Sequence, residues 1–184
     1  KSIANLQRTK PYCWSGAKTR PDCFFLSVDK RKKNLPDYEI IEWNESNFDI
    51  NCCIYVKLAA ESKKWAFVSD YARALALFQQ GGIYMDIDVE VKFSLDEFLH
   101  HRAFSGFEIK GSPFTALWAT EPGHPWPKKV LDFYHLKTDF DLTTNTVFVS
   151  DLLVKEYGIN PEKDEYQEGK DGIVLRHCIL NKNK

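Results

Sequence analysis

The segment from Lys63 to Lys92 constrains the fold most. Lys63 to Gln80 (KKWAFVSDYARALALFQQ) is rich in Ala and Leu and holds no Gly or Pro, which predicts a helix. Gly81-Gly82 follows directly and is a strong C-terminal stop. The segment is apolar on most faces, as a helix buried inside a domain should be. Ile83 to Lys92 then alternates strictly. Ile83, Met85, Ile87, Val89 and Val91 share one face, and Tyr84, Asp86, Asp88, Glu90 and Lys92 share the other. That is the period of a half-buried strand.

The rest of the chain repeats this mixture. Glu39 to Trp43 reads as a short strand, residues 54–62 as the start of a helix, Ser94 to His101 as a helix and Ala103 to Ile109 as a strand. Gly111-Ser112-Pro113 reads as a turn and Pro122 to Pro127 as a loop. Lys128 to Leu136 and Phe148 to Tyr157 read as helices, the second closed by Gly158. Residues 1–12 read as a polar lead-in, residues 24–28 (FFLSV) as a strand or one helical turn, and Ile173-Val174-Leu175 as a short apolar run in a polar tail. Strands and helices alternate, so an α/β fold is expected. With 184 residues, one domain is expected.

Composition excludes some classes. The formal net charge is -1, so no basic field points to a nucleic-acid partner. Cys13, Cys23, Cys52, Cys53 and Cys178 form no CxxC pair, which argues against structural zinc. Their odd number suits a reducing compartment better than a disulfide framework. The run Lys30 to Lys33 has two readings, a solvated face, which is preferred, or a patch for an anionic membrane surface.

Asp86 and Asp88 are the first candidates for chemistry. Two carboxylates on one strand face repel unless a cation lies between them. Hard cations take oxygen ligands, often one or two carboxylates plus substrate phosphates. A bare Asp-x-Asp is a short motif, and taken alone a solvated strand face explains it better. Asp70 and Arg73 add to it. They share a helix face in a stretch otherwise almost wholly apolar, where charges need a partner or a ligand. They are either an ion pair at a helix surface or the lining of a polar pocket, with Ser69 adding a hydroxyl. Trp118 and Trp126 read as core residues or sugar platforms.

Ser69-Asp70-Tyr71-Ala72-Arg73 followed by Gly81-Gly82-Ile83-Tyr84-Met85-Asp86-Ile87-Asp88-Val89 resembles the signature of the sugar-transferring glycosyltransferases with a DXD motif. Bacterial capsular and lipopolysaccharide-type transferases, yeast initiation mannosyltransferases and, more distantly, glucosylating clostridial toxins belong to that family. Leu35 to Asn44 is similar to the upstream segment of the bacterial members, and Tyr12-Cys13-Trp14-Ser15-Gly16 to their first strand and loop. Ser15 stands where an apolar residue is usual, and Ala17 where a second glycine is usual.

The resemblance implies a single GT-A domain, with a Rossmann-like mixed central sheet flanked by helices. It implies a retaining hexosyltransferase that uses Mn²⁺ or Mg²⁺ and a nucleotide-diphosphate sugar, with UDP favoured. The acceptor would be a glycan or a lipid-linked glycan. Trp14 would stack on the nucleobase. Asp70 would bind sugar or ribose hydroxyls, with Ser69 beside it. Arg73 would contact the sugar or its phosphate. Asp86 would hold ribose, sugar and, through water, the metal, and Asp88 would ligate the metal directly. Glu108 is a looser candidate near the donor. The expected location is the cytoplasm, with peripheral contact at the inner membrane face if the basic run serves that purpose. Part of the usual C-terminal segment is expected to be missing. The alternative is therefore a truncated or degenerate domain that binds nucleotide or sugar without turnover. A haloacid-dehalogenase-type phosphatase fits less well, because Glu90 stands where that family needs Thr.

Overall fold

A computed structural model describes residues 11–14, 33–86, 89, 91, 94–109, 112–163 and 165–176. Seven strands form one mixed sheet: β1 (Pro11–Trp14), β2 (Ile41–Trp43), β3 (Gly82–Met85), β4 (Ala103–Ile109), β5 (Ser112–Thr120), β6 (Gln167–Glu168) and β7 (Ile173–Arg176). Their spatial order is β2-β1-β3-β5-β4-β7-β6. β2, β1 and β3 run parallel, and β5 lies antiparallel between β3 and β4. The helices are α1 (Ile54–Glu61), α2 (Trp65–Gln80), α3 (Pro125–His135) and α4 (Asn145–Tyr157). The expected α/β class and mixed sheet are what the chain adopts.

Side-chain alternation along the strands separates two cores. Tyr84, Trp118, Ala103, Ile173 and Leu175 pack with all four helices. Ile83, Met85, Phe104, Leu117, Ala119 and Val174 point the other way, onto Leu35, Tyr38, Val89, Val91, Leu95 and Phe98. The sheet is therefore covered on both faces. This corrects the half-buried strand expected after Gly82, because every residue of β3 is buried. Trp118 and Trp126 are 1% exposed and pack ring to ring at 4.8 Å, so both are core residues.

The strand expected to run to Lys92 ends at Met85. The Asp86 N–H still donates to Ala116 O of β5 at 2.8 Å, and the Val89 N–H donates to Asp86 O. Residues 94–101 hold only a 3-10 turn at Asp96–Phe98. Ser112-Pro113 opens β5 instead of forming a turn, and α3 begins inside the expected loop, with Pro125 in its first turn. α4 starts three residues earlier than expected and ends on Gly158 in the left-handed conformation, as the glycine stop predicts. The run 173–175 is a buried strand paired with β4. Residues 1–10 and 24–28 lie outside the described residues.

Candidate active site at the end of the third strand

α2 must turn sharply into β3, and Gly81 makes this possible. It sits at φ 65° and ψ -163°, and a Cβ there would stand 2.6 Å from Pro122 N and Cδ. This backbone region is open essentially to glycine alone. The turn lays α2 along β3, so that one face of the helix looks onto the strand's helix-side residues. Tyr84 and Asp86, two apart, lie on that side.

Arg73 meets them there. It is 5% exposed, and its guanidinium lies 4.6 Å from the centre of the Tyr84 ring. Nη2 stands 3.0 Å from Asp70 Oδ1 and 3.1 Å from Asp86 Oδ1. Nη1 donates to Thr115 O at 3.0 Å and to Thr115 Oγ1 at 3.3 Å, and Nη2 donates to Ser69 Oγ at 3.2 Å. Tyr84 O–H donates to Asp86 Oδ1 at 2.7 Å. One buried cation thus holds two carboxylates, and a planar five-donor fork suits such a set better than an ammonium. An ion pair at a helix surface does not describe Asp70 and Arg73, since both are drawn inward against the sheet.

The electrostatics follow from this packing. Burial works against the Arg73 charge, but Tyr84, Asp86 and Asp70 together hold its proton more firmly than usual. Burial pushes the Asp70 carboxyl up to about 6, with Arg73 opposing the shift and Asp86 adding to it. Two acids facing one cation cannot both be fully compensated, and Asp70 bears the cost.

One member of the cluster escaped the sequence reading. Asn145, at the start of α4, is 6% exposed. Its Oδ1 accepts from Thr115 Oγ1 at 3.3 Å, so it reaches Arg73 through a single hydroxyl. Its Nδ2 is buried with no hydrogen-bond partner among the described residues. A buried amide N–H left unpaired is costly and calls for a ligand or water. No local signal marks this residue, because Asn at a helix start is ordinarily read as capping.

The fold brings Ser69, Asp70, Arg73 and Asp86 together. They lie where the parallel strands β2, β1 and β3 end, the place where open α/β sheets bind ligands. β1 ends at Trp14 on the same edge as Asp86, though its side chain is outside what is described. Asp88 lies outside the described residues, and so does the Glu108 side chain. Among the described residues no three His, Cys, Asp or Glu side chains converge on a metal position, and no helix is long and apolar enough to cross a membrane.

The fold is of GT-A type. Over 83% of its length the chain superposes on 69% of the solved structure of PaToxG Glycosyltransferase, with a TM-score of 0.59 and 14% sequence identity. Residues 21–105 match the family model of the glycosyltransferase sugar-binding region containing a DXD motif. That region contains Asp70, Arg73 and Asp86, and over it the chain is similar to the DXD-motif glycosyltransferases. No curated protein sequence matches it.

Proposed function

We propose that this domain transfers a hexose from a nucleotide-diphosphate sugar, UDP-linked by preference, to a glycan or lipid-linked acceptor, with retention of configuration. The observation that carries the reading is the buried Arg73 fork, which spans Asp70 and Asp86 at the strand end. Such a cation keeps the acids in a form that can accept hydrogen bonds from sugar hydroxyls. Asp70, Ser69 and the unpaired Asn145 amide form a polar wall of suitable chemistry. In this reading Asp70 and Asn145 bind the sugar, Arg73 orients Asp86 and approaches the sugar or its phosphate, and Trp14 stacks on the base.

The donor set fits a hard divalent cation, Mn²⁺ or Mg²⁺. Asp86 Oδ1 is engaged by Tyr84 and Arg73, which suits contact with the ion through water, and Asp88 is the residue proposed to ligate it directly. Asp88 and, through water, Asp86 would hold the ion, and the chemistry it would supply is Lewis-acid stabilisation of the charge that develops on the departing nucleotide. Arg73 contributes in the same sense, as a preorganised positive group in a site from which water is largely excluded. The family resemblance implies that the acceptor would attack on the face that the diphosphate leaves, and no nucleophile is assigned.

Calorimetric titration of UDP, GDP and their sugars, with and without Mn²⁺, tests the proposal. Binding that needs metal and weakens in Asp86→Asn and Asp88→Asn supports it. Slow donor hydrolysis in the same samples would identify the sugar, and binding without hydrolysis or transfer would reduce the domain to a non-catalytic binder. If no nucleotide binds in any metal, the transferase reading fails for this chain.

A further inference from the structure

At the opposite end of the sheet, where β3 begins, separate chain segments meet around His124. Thr120 of β5 pairs with Gly82 and with Ala103, and Ala103 pairs with Ile173 of β7. Arg102, Glu121 and the turn Lys170–Gly172 therefore flank one another just outside the strands. His124 is 1% exposed. It is the N-cap residue of α3, and both its ring nitrogens are committed. Nδ1 accepts the Trp126 N–H at 3.1 Å, and Nε2 lies 3.1 Å from Asp171 O. An amide N–H can only donate and a carbonyl can only accept, so the ring carries one proton, on Nε2. One neutral imidazole thus joins the first turn of α3 to the turn that links β6 to β7.

A second proton has no place in this arrangement. On Nδ1 it would face the Trp126 N–H, donor against donor. Trp126 is held by its ring, which is buried against Trp118 and Tyr157. Three charged groups face the imidazole: Arg102 from the start of β4, Glu121 from the β5–α3 turn and Asp171 from the turn before β7. Glu121 has an acceptor to spare. Its Oε1 takes the Arg102 Nε and Nη2 donors at 2.6 and 2.5 Å. Its Oε2 is buried with no hydrogen-bond partner among the described residues. A buried carboxylate oxygen left unpaired is costly, and an imidazolium N–H is a strong donor for it.

The segment on the other side of the bond is lightly held. β6 has two residues and lies at the edge of the sheet. Asp171 sits at φ 59° and ψ 19°, a left-handed conformation that an L residue adopts at a cost. The His124 bond to its carbonyl helps to keep it there.

We propose that His124 is an acid-operated latch: a second ring proton undoes the α3 cap, turns the ring towards Glu121 Oε2, and frees the β6–β7 hairpin from the start of α3. Protonation of Nδ1 replaces an acceptor by a donor, so the Trp126 bond is lost. Turning the ring to reach a carboxylate draws Nε2 away from Asp171 O. Burial above all holds the ring below its ordinary titration at 6.5; the Asp171 carbonyl opposes this, Arg102 adds to it, and Glu121 and the Asp171 carboxylate oppose it. The latch is therefore closed at neutral pH and opens in acid. The donor cluster lies at the far end of β3, so the latch does not rest on the sugar-transfer reading.

The experiment is hydrogen exchange of the whole chain, read by mass spectrometry from about pH 7.5 to about pH 5, the range in which histidines titrate. Labelling times are corrected for the intrinsic pH dependence of exchange. Amides of residues 169–176 should lose protection as the pH falls, while those of Gly82–Met85 keep theirs. Opening should increase about tenfold per pH unit across the titration, as uptake of one proton requires. In the nitrogen-15 spectrum of the unaltered chain, the Trp126 and Gly172 N–H signals should move together, with one midpoint below 6.5. His124→Asn keeps a capping oxygen but takes no proton, so its hairpin should be less protected at every pH and indifferent to pH. Glu121→Gln should shift opening to lower pH, because the imidazolium loses its charged partner. Hairpin protection that ignores pH, equal loss of protection in β3, or a pH dependence that survives in His124→Asn would each overturn the proposal. If neither variant folds, Trp126 and Gly172 signals that titrate apart in the unaltered chain would do the same.

Discussion

Arg73, halfway along the buried helix α2, stands 3.1 Å from Asp86, which lies just past the end of the strand that the same helix leads into. This contact ties the helix–turn–strand unit to the candidate site, and Arg73 cannot be replaced cheaply. Breaking a buried ion pair by removing one partner costs about 3–5 kcal/mol. Arg73→Ala should therefore lower the urea midpoint severely or prevent folding. Arg73→Lys keeps the charge but cannot reach Ser69, Asp70, Asp86 and Thr115 together, and should fall between. Urea titrations of the two variants check the order, and a Lys variant as stable as the parent would show that the fork geometry is unimportant.

Asp70 should trade stability against binding. Its folded carboxyl titrates near 6 against an ordinary 3.8, so the folded chain binds the extra proton. That contribution is fully present below about pH 4 and is lost as pH rises through 6. Asp70→Asn should remove this loss. The variant should gain stability relative to the parent between pH 4 and pH 7, while nucleotide-sugar affinity falls. Thermal melts across that range, beside calorimetry at pH 7, measure both effects.

Asn145 offers an N–H that nothing in the described fold uses. Asn145→Ala removes an unsatisfied buried N–H but also the acceptor of the Thr115 hydroxyl, so the melting temperature should fall modestly. Affinity for the nucleotide sugar should drop by about tenfold, the equivalent of one good hydrogen bond, and affinity for the nucleotide diphosphate alone should stay the same. Equal losses for both ligands would place the amide on the phosphate side.

His124 caps α3. Its Nδ1 accepts the Trp126 N–H at 3.1 Å, and Nε2 pairs with Asp171 O at 3.1 Å, so the ring is neutral with its proton on Nε2. Burial, followed by Arg102, depresses its pKa, with the Asp171 carbonyl, Glu121 and the Asp171 carboxylate opposing. Stability from this residue is therefore present above the ordinary value of 6.5 and lost as pH falls through the lower folded value. His124→Asn retains a capping oxygen. It loses the Nε2–Asp171 bond, should therefore cost about 1 kcal/mol at pH 7.5, and should flatten the decline between pH 7 and pH 5, which melts over that range will show.

Gly81→Ala puts a methyl 2.6 Å from Pro122 N in a backbone region closed to other residues. A cost of about 2 kcal/mol or more is expected. Because the turn sets where α2 lies on β3, donor binding should weaken in whatever fraction remains folded. Equilibrium unfolding and calorimetry on the same sample separate the two effects.

Local sequence determined the helix ending at Gln80, its glycine stop and the strand that follows Gly81-Gly82, because helix propensity and the need for a positive-φ residue at the stop act over a few residues. It also marked Ser69, Asp70, Arg73 and Asp86 as polar groups in an apolar setting, since a charge in such a stretch must have a partner. It did not determine how far β3 extends. The alternation continues to Lys92, but β3 keeps its β5 partner only as far as the Met85–Leu117 pair and one further Asp86–Ala116 bond. Nor did it reveal β5. Ser112-Pro113 has the chemistry of a turn, yet a proline is tolerated where β5 has passed beyond β3 and its pairing with β4 is irregular. Burial of both sheet faces, the strand at 173–176 and the arrival of Asn145 beside Thr115 all depend on segments far apart in the chain. Such contacts leave no periodic trace in either partner, so only the closed tertiary structure decided them.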